Sequence, residues 1–388
     1  MSWPTRFCPS AASLATRRDE LERLAPWLLV GDPHADAALA VIEEAGARGR
    51  AWLEQLTRGA LPEDAPAAIR SLHDALKPPM WVEWERAERG ARVILASGVL
   101  GGVTLAAKSL LLGYAAPAGN KPLALSGALT KRAPRRVSET SRYVRAVLLP
   151  RGLAPGAEGY ALSLRVRMMH ARVRALSAAD PRWQHAAWGS PINQHDMAAT
   201  AILFSEVLLS GLETLGVQIS PRDGDAVMHL WRHAGYLMGV TQDLLPTSRA
   251  EAVRLLELIE LSQAPPDADS RALTAALFEV PEREVTSLPE PERPAALRVA
   301  RRTREFVQAV AYAQLGEERA RSLGIPASRW RGALPVLRRL VRASSLLTGN
   351  VRQAEQRAIE AGRRYWDQVS EQGLLRYDFG FALPERLE

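Results

Sequence analysis

The sequence predicts an all-α protein. Apolar residues recur at intervals near 3.6 along most of the 388 residues, the alternation of a half-buried strand is almost absent, and proline, glycine and capping residues punctuate the runs. Residues 19–30 read as a short amphipathic helix stopped by Gly31. Asp32 and Pro33 then supply a cap and a first-turn proline for a helix over 33–47. Helices follow over 48–57, 65–76 and 138–148, with another over 82–113 that has a weak point at Gly101 and Gly102. Residues 158–178 are helical, and Leu162, Val166, Met169 and Val173 form a stripe that should be buried. Ser190 and Pro191 open a helix running to about Leu215. Asp223, Gly224 and Asp225 cap one that carries Val227, Leu230, Trp231, Ala234, Leu237 and Met238 on a single face. Helices over 247–261, 294–315, 327–347 and 352–372 complete the series. The proline-rich stretch 264–294 reads as an exposed connection holding one short helix over 270–277. One helical domain over 1–388 is expected: a core at about 31–261, that connection, and C-terminal helices over 295–388 packed on the core.

Charged residues make up 24% and apolar residues 47%, the balance of a folded globular chain. The net charge of +7 invites a nucleic-acid reading. However, only Lys77, Lys108, Lys121 and Lys131 are lysines, and the arginines interleave with acids, as in EWERAERGAR, so no basic stripe forms and no nucleic-acid partner is expected. Cys8 is the single cysteine, which excludes an intrachain disulfide and a thiolate cluster. The segment VILASGVLGGVTLAAKSLLLGYAA (93–116) approaches the length of a membrane span but contains Ser97, Thr104, Lys108 and several glycines. It is read as a buried core helix, with no transmembrane span expected. The first residues lack the apolar core of an export signal, so a cytoplasmic location is expected.

Most candidate chemistry dissolves on inspection. His229 and His233 stand at i and i+4, but HLWRH lacks the glutamate that a zinc-protease helix uses, and both are read as partly exposed helix residues. There is no phosphate loop and no Gly-x-Ser-x-Gly elbow. Asp32 with Asp36, and Asp223 with Asp225, read as carboxylates of helix caps and first turns. His170 is different. It lies in the apolar stripe of its helix, with Arg167 and Arg174 about one turn to either side. A buried imidazole must be hydrogen-bonded or metal-bound. An imidazole between two guanidiniums suits an iron porphyrin, with the ring on iron, the arginines on the propionates, and Met168 and Met169 packing around them. A satisfied core histidine explains the same spacing.

Six ordered segments carry a resemblance: GDPHADAAL (31–39), SLLLGYAAPAG (109–119), RRVSETSRYV (135–144), VRMMHARVR (166–174), WGSPINQHDMAATAILFS (188–205) and LWRHAGYLMGV (230–240). Together they resemble the family of the latex-clearing rubber oxygenases and the fungal oxygenase of mycophenolic acid biosynthesis. The resemblance implies a globin-like helical core with additional peripheral helices, a b-type haem and O2 as co-substrate. It places the iron ligand at His170, family arginines at Arg167 and Arg174, and an Arg-x-x-x-Thr element of the opposite haem face at Arg136 and Thr140. One position departs from the family. Rubber-cleaving members carry a lysine before that threonine, and here it is Glu139, which could hydrogen-bond a distal water, act as a base or simply point to solvent. The departure weighs against rubber cleavage. The expected activity is that of a haem b-dependent oxygenase acting with O2 on an apolar small molecule, unsaturated ones included. Arg136, Glu139 and Thr140 are its catalytic candidates, and Leu111, Leu112, Phe204 and Trp231 its apolar wall. A haem sensor or carrier without turnover and a haem-free helical binding module are the alternatives.

Overall fold

The computed structural model describes residues 3–125, 132–286, 288–346 and 351–376, and among them the regular elements are all helical. The Ser10 hydroxyl accepts the Ser13 amide and starts α1 (Ala11–Leu24), which runs into a 3-10 turn over Ala25–Leu29. Asp32 caps α2 (Pro33–Ala45), and Gly46, at φ 58°, turns the chain into α3 (Ala47–Thr57). α4 (Ala67–Asp74) leads to α5 (Trp84–Thr104). The weak point of α5 is displaced from its expected place: Gly98 breaks the helix at φ 48°, while Gly101 and Gly102 stay helical. A π-helical turn over Leu105–Leu110 and α6 (Leu111–Tyr114) extend the rod, and α7 (Lys121–Leu125) follows. α8 (Ala133–Val147) starts earlier than expected because Pro134 occupies its first turn.

α9 (Glu158–Ala179), α10 (His185–Trp188), α11 (Gln194–Phe204) and α12 (Glu206–Thr214) come next. The single helix expected over 190–215 is therefore two. Asn193 is the cap, and Ser205, at φ −106° and ψ −95°, leaves helical geometry between them. Ser220 caps α13 (Pro221–Leu237), and Asp223, expected as the cap, sits in the first turn. Beyond α14 (Arg249–Leu261), the stretch expected as an exposed connection is ordered. Asp267 caps α15 (Ala268–Phe278), and α16 (Val280–Val285) packs with it against α8 and α17 (Arg293–Leu315). α18 (Glu317–Ser322), α19 (Leu334–Leu346) and α20 (Val351–Arg376) complete the order. The expected helix end at Leu347 and the ends of the expected domain, 1–2 and 377–388, lie outside the described residues.

The long helices cross closely. At Gly90 of α5 an added Cβ would overlap the Ala226 carbonyl oxygen of α13, and at Gly362 of α20 it would overlap the Leu95 carbonyl oxygen of α5. Glycine lets the backbones touch there. The core between the helices includes Leu21, Ile69, Ile94, Leu164, Ile202 and Leu208, all buried. Trp84–Tyr114 and Gln194–Thr214 are long and apolar enough to cross a membrane by length and composition alone. Here the first packs against α13 and α20 and the second against α13 and α14, as core helices do.

Candidate functional site

The buried face of α9 is not the one the apolar stripe suggests. Tyr160, Leu164, Arg167, Met168, Ala171 and Arg174 are buried against α2, α8 and α13. Leu162, Val166, Met169, His170 and Val173, expected to be buried, are only half-covered. The helix spends its inward face on two ion pairs, which rotates the stripe outward.

Those pairs involve the two arginines expected at a haem rim. Arg167 donates from Nε to Asp32 Oδ2 at 2.6 Å and from Nη2 to Asp32 Oδ1 at 2.9 Å, with both side chains 3% exposed. Arg174 donates from Nε and Nη2 to Asp36 at 2.6–3.0 Å, and from Nη1 to the Ile192 carbonyl at 3.0 Å. Ile192 is a β-branched residue held at φ 46°, so its carbonyl is aimed at some cost in backbone strain. Asp32 and Asp36 read in the sequence as cap and first-turn carboxylates. Asp32 does cap α2, accepting the Ala35 amide at 3.2 Å, but its second role was missed.

Four of the six ordered segments meet at this point. Gln194 Nε2 donates to the carbonyls of Gly31 and Gly239 at 2.8 and 2.9 Å, and its Oε1 accepts the Thr241 amide at 2.8 Å. Gly239 lies at φ 88° with its backbone against the Arg167–Asp32 pair, where a Cβ would overlap Asp32 Oδ2.

His170 sits beside this lattice. It lies deep in the protein, where burial foremost and the Arg174 charge next push its pKa down to about 4, with Asp32 opposing. Part of the residue nevertheless stays accessible. Its Nδ1 is buried and has no hydrogen-bond partner among the described residues. At neutral pH this is a neutral imidazole with its lone pair uncommitted.

α8 packs against α9, and Tyr143 joins them through a 3.2 Å contact between its hydroxyl and Ser163 Oγ. Burial raises the Tyr143 pKa to about 12. One face of α8, Val137, Thr140, Ser141 and Val144, lines a cavity of about 1140 Å³. The opposite walls come from α5 and its π-helical turn, α6, α11, the ends of α14 and α17, and α20. Leu112, Leu203, Phe204, Leu256 and Ile259 make much of it apolar. Of the expected wall, Leu112 and Phe204 line this cavity. Leu111 is buried behind it, and Trp231 stacks on Phe204 at 4.9 Å. Thr140 reaches the cavity, whereas His170 is not among its lining residues. Arg136 hydrogen-bonds Tyr114, another lining residue. Of the alternatives open for Glu139, the structure shows the solvent-facing one. It lies on the solvent side of α8, 46% exposed and bonded to Arg135 at 2.8 Å, because one step along a helix rotates it about 100° from Thr140.

His229 and His233, expected to be partly exposed, are buried. His229 Nε2 accepts the Glu83 amide at 2.9 Å, while His233 packs edge-on to Trp81 and Trp84 with neither ring nitrogen paired among the described residues. No group of three or more metal-binding side chains of His, Cys, Asp or Glu occurs among the described residues.

Residues 84–346 match the catalytic domain of the family described as ER-bound oxygenase mpaB/B'/rubber oxygenase. The chain belongs to this family. Among its relatives is the rubber oxygenase of Streptomyces sp. (strain K30), 27% identical over an alignment of 262 residues that covers 64% of this chain and 63% of that protein. The match thus spans less than two thirds of the rubber oxygenase's length. The structure of latex clearing protein in its closed state aligns with a TM-score of 0.64 at 20% identity, over 92% of this chain and 95% of that one, and shares the helical fold. Within this oxygenase family the matched domain holds α8, α9 and most of the cavity wall. Asp32, Asp36 and α20 lie outside it.

Proposed function

We propose that the chain is an oxygenase that holds haem b through His170 and acts with O2 on an apolar small molecule, unsaturated ones included. The carrying observation is the His170 imidazole: neutral, deep in the family domain, and without a hydrogen-bond partner among the described residues. The residues fit haem at the iron. At the rim they do not, because Arg167 and Arg174 are engaged by Asp32 and Asp36, so the propionates would take other partners.

Haem b, when bound, supplies the redox iron at which O2 is activated. The protein's share is positional. His170 presents an unprotonated nitrogen across the physiological range because burial disfavours its cation. The two ion pairs fix the pitch and rotation of α9, and with them the ring's direction. Thr140 offers a hydroxyl, and Arg136 is held by Tyr114 close to the same apolar space. That lining excludes water and suits a hydrocarbon-like substrate. The rubber oxygenase relative, whose name denotes a polymer substrate, supports the chemical class but not the polymer.

The visible spectrum of the purified protein tests this. Wild type is expected to show a Soret band as isolated or after haem reconstitution, and His170→Ala to lose it while keeping its far-UV helical signal. A wild-type protein that gains no Soret band on reconstitution would sink the reading. Oxygen uptake with candidate olefins then separates turnover from mere haem carriage.

A further inference from the structure

One wall of the cavity is not part of the matched domain. α20 begins beyond residue 346, where the match ends, and contributes Tyr365, Trp366 and Val369 to the lining. The helix is firmly seated. It packs along α5 and α8, Gly362 lies against the Leu95 carbonyl, and Arg145 of α8 donates to Asp367 at 2.8 Å. Trp366 is buried in the core beside it.

These contacts place the Tyr365 phenol over α5. Its oxygen lies so close to Gly102 that an added Cβ there would overlap it. The residues that follow on the same rod, Val103, Leu105, Ala106 and Leu110, give the cavity an apolar surface. Tyr365 is half-buried, and its hydroxyl makes no hydrogen bond among the described residues. Burial raises its pKa, so at physiological pH it is a neutral donor. A phenol hydroxyl in an apolar wall needs a polar partner from whatever fills the space.

We propose that Tyr365 is a specificity-determining residue: the cavity takes an elongated apolar molecule bearing an alcohol, aldehyde or ketone oxygen, and the Tyr365 hydroxyl holds that oxygen. The inference rests on the oxygenase reading and narrows its substrate class. A volume of about 1140 Å³ accommodates a chain of about fifteen carbons, since pockets for drug-sized ligands measure roughly 300–1,000 Å³. A hydrocarbon would leave the phenol without a partner, and an oxygenated chain would satisfy it.

Calorimetric titration with farnesol and with farnesene, the same fifteen-carbon skeleton without the oxygen, tests the assignment on the protein as purified. Wild type is expected to bind farnesol about tenfold more tightly, the scale of one added hydrogen bond. Tyr365→Phe is expected to bring farnesol down to the farnesene level and leave farnesene within about twofold. Gly102→Ala, which displaces the phenol without removing it, is expected to lose the preference too and decides the matter if Tyr365→Phe does not fold. Equal weakening of both ligands, or an unchanged preference in both variants, overturns the assignment and leaves the apolar cavity reading intact. Failure of wild type to bind either probe overturns both.

Discussion

Arg167 and Asp32 are the two charges most completely removed from water around His170, and their fate differs from that of the neighbouring pair. A buried pair adds little net stability, because desolvation offsets the attraction, yet removing one partner leaves an uncompensated charge. Asp32→Asn is therefore expected to destabilise the protein by about 3–5 kcal/mol in denaturant unfolding. Asp36 is 41% exposed, and Arg174, itself 7% exposed, keeps the Ile192 carbonyl as a partner when the carboxylate is neutralised. Asp36→Asn is therefore expected to cost less than Asp32→Asn, about 1–3 kcal/mol. Similar losses from the two variants would count against this division of labour. Glu139→Gln, at an exposed ion pair, is expected to move stability by no more than about 0.5 kcal/mol and to leave the Soret band where it is. The residue pattern RVRMMHARVR marks His170 as exceptional in the sequence alone. What it cannot carry is the identity of the arginines' partners, because carboxylates more than 130 residues away are brought to them only by the fold.

Among the elements, α20 shows how much a crossing depends on a missing side chain. Gly362 allows α20 to lie on the Leu95 carbonyl of α5, and with it Trp366 enters the core and Tyr365 reaches Gly102. Gly362→Leu is expected to lift α20 from α5 and accelerate tryptic cleavage at Arg357, Arg363 and Arg364, with the rest of the chain cut at its usual rate. Cleavage at the wild-type rate would mean the crossing has room for a side chain. Helix existence was legible in the sequence because the 3.6-residue apolar period and the caps are local signals. Interruptions were read less well. Gly98, not the Gly101–Gly102 pair, breaks α5, since which glycine bends and which packs is decided by the neighbour across the interface. α15 was read as a short helix over 270–277, but α16 was missed for a related reason: its proline read as loop punctuation, whereas Pro281 sits in the first turn of α16, where proline is tolerated.

At the scale of the whole molecule, two deeply buried histidines contribute to the acid sensitivity of the haem-free protein. His170 and His233 both have pKa values pushed down to about 4, by burial first, then by Arg174 for one and His229 for the other. In the unfolded chain each titrates near its ordinary value of about 6.5. Between these values the unfolded state binds more protons than the folded one, so folding stability is intact above about pH 6.5 and falls as the pH drops toward 4. Each histidine contributes up to about 3 kcal/mol to that fall. Melting temperature followed from pH 7 to pH 4 is expected to decline, and His233→Phe, which keeps an aromatic ring against Trp81 and Trp84, is expected to make the decline shallower. Haem supplies the complementary arm. A ligated imidazole cannot take a proton until the iron releases it, so loading is expected to keep the His170 share and extend it below pH 4, where the haem-free protein levels off, whereas His170→Ala removes it. If the haem-loaded protein levels off at the same pH as the haem-free protein, His170 is not the residue that meets the iron.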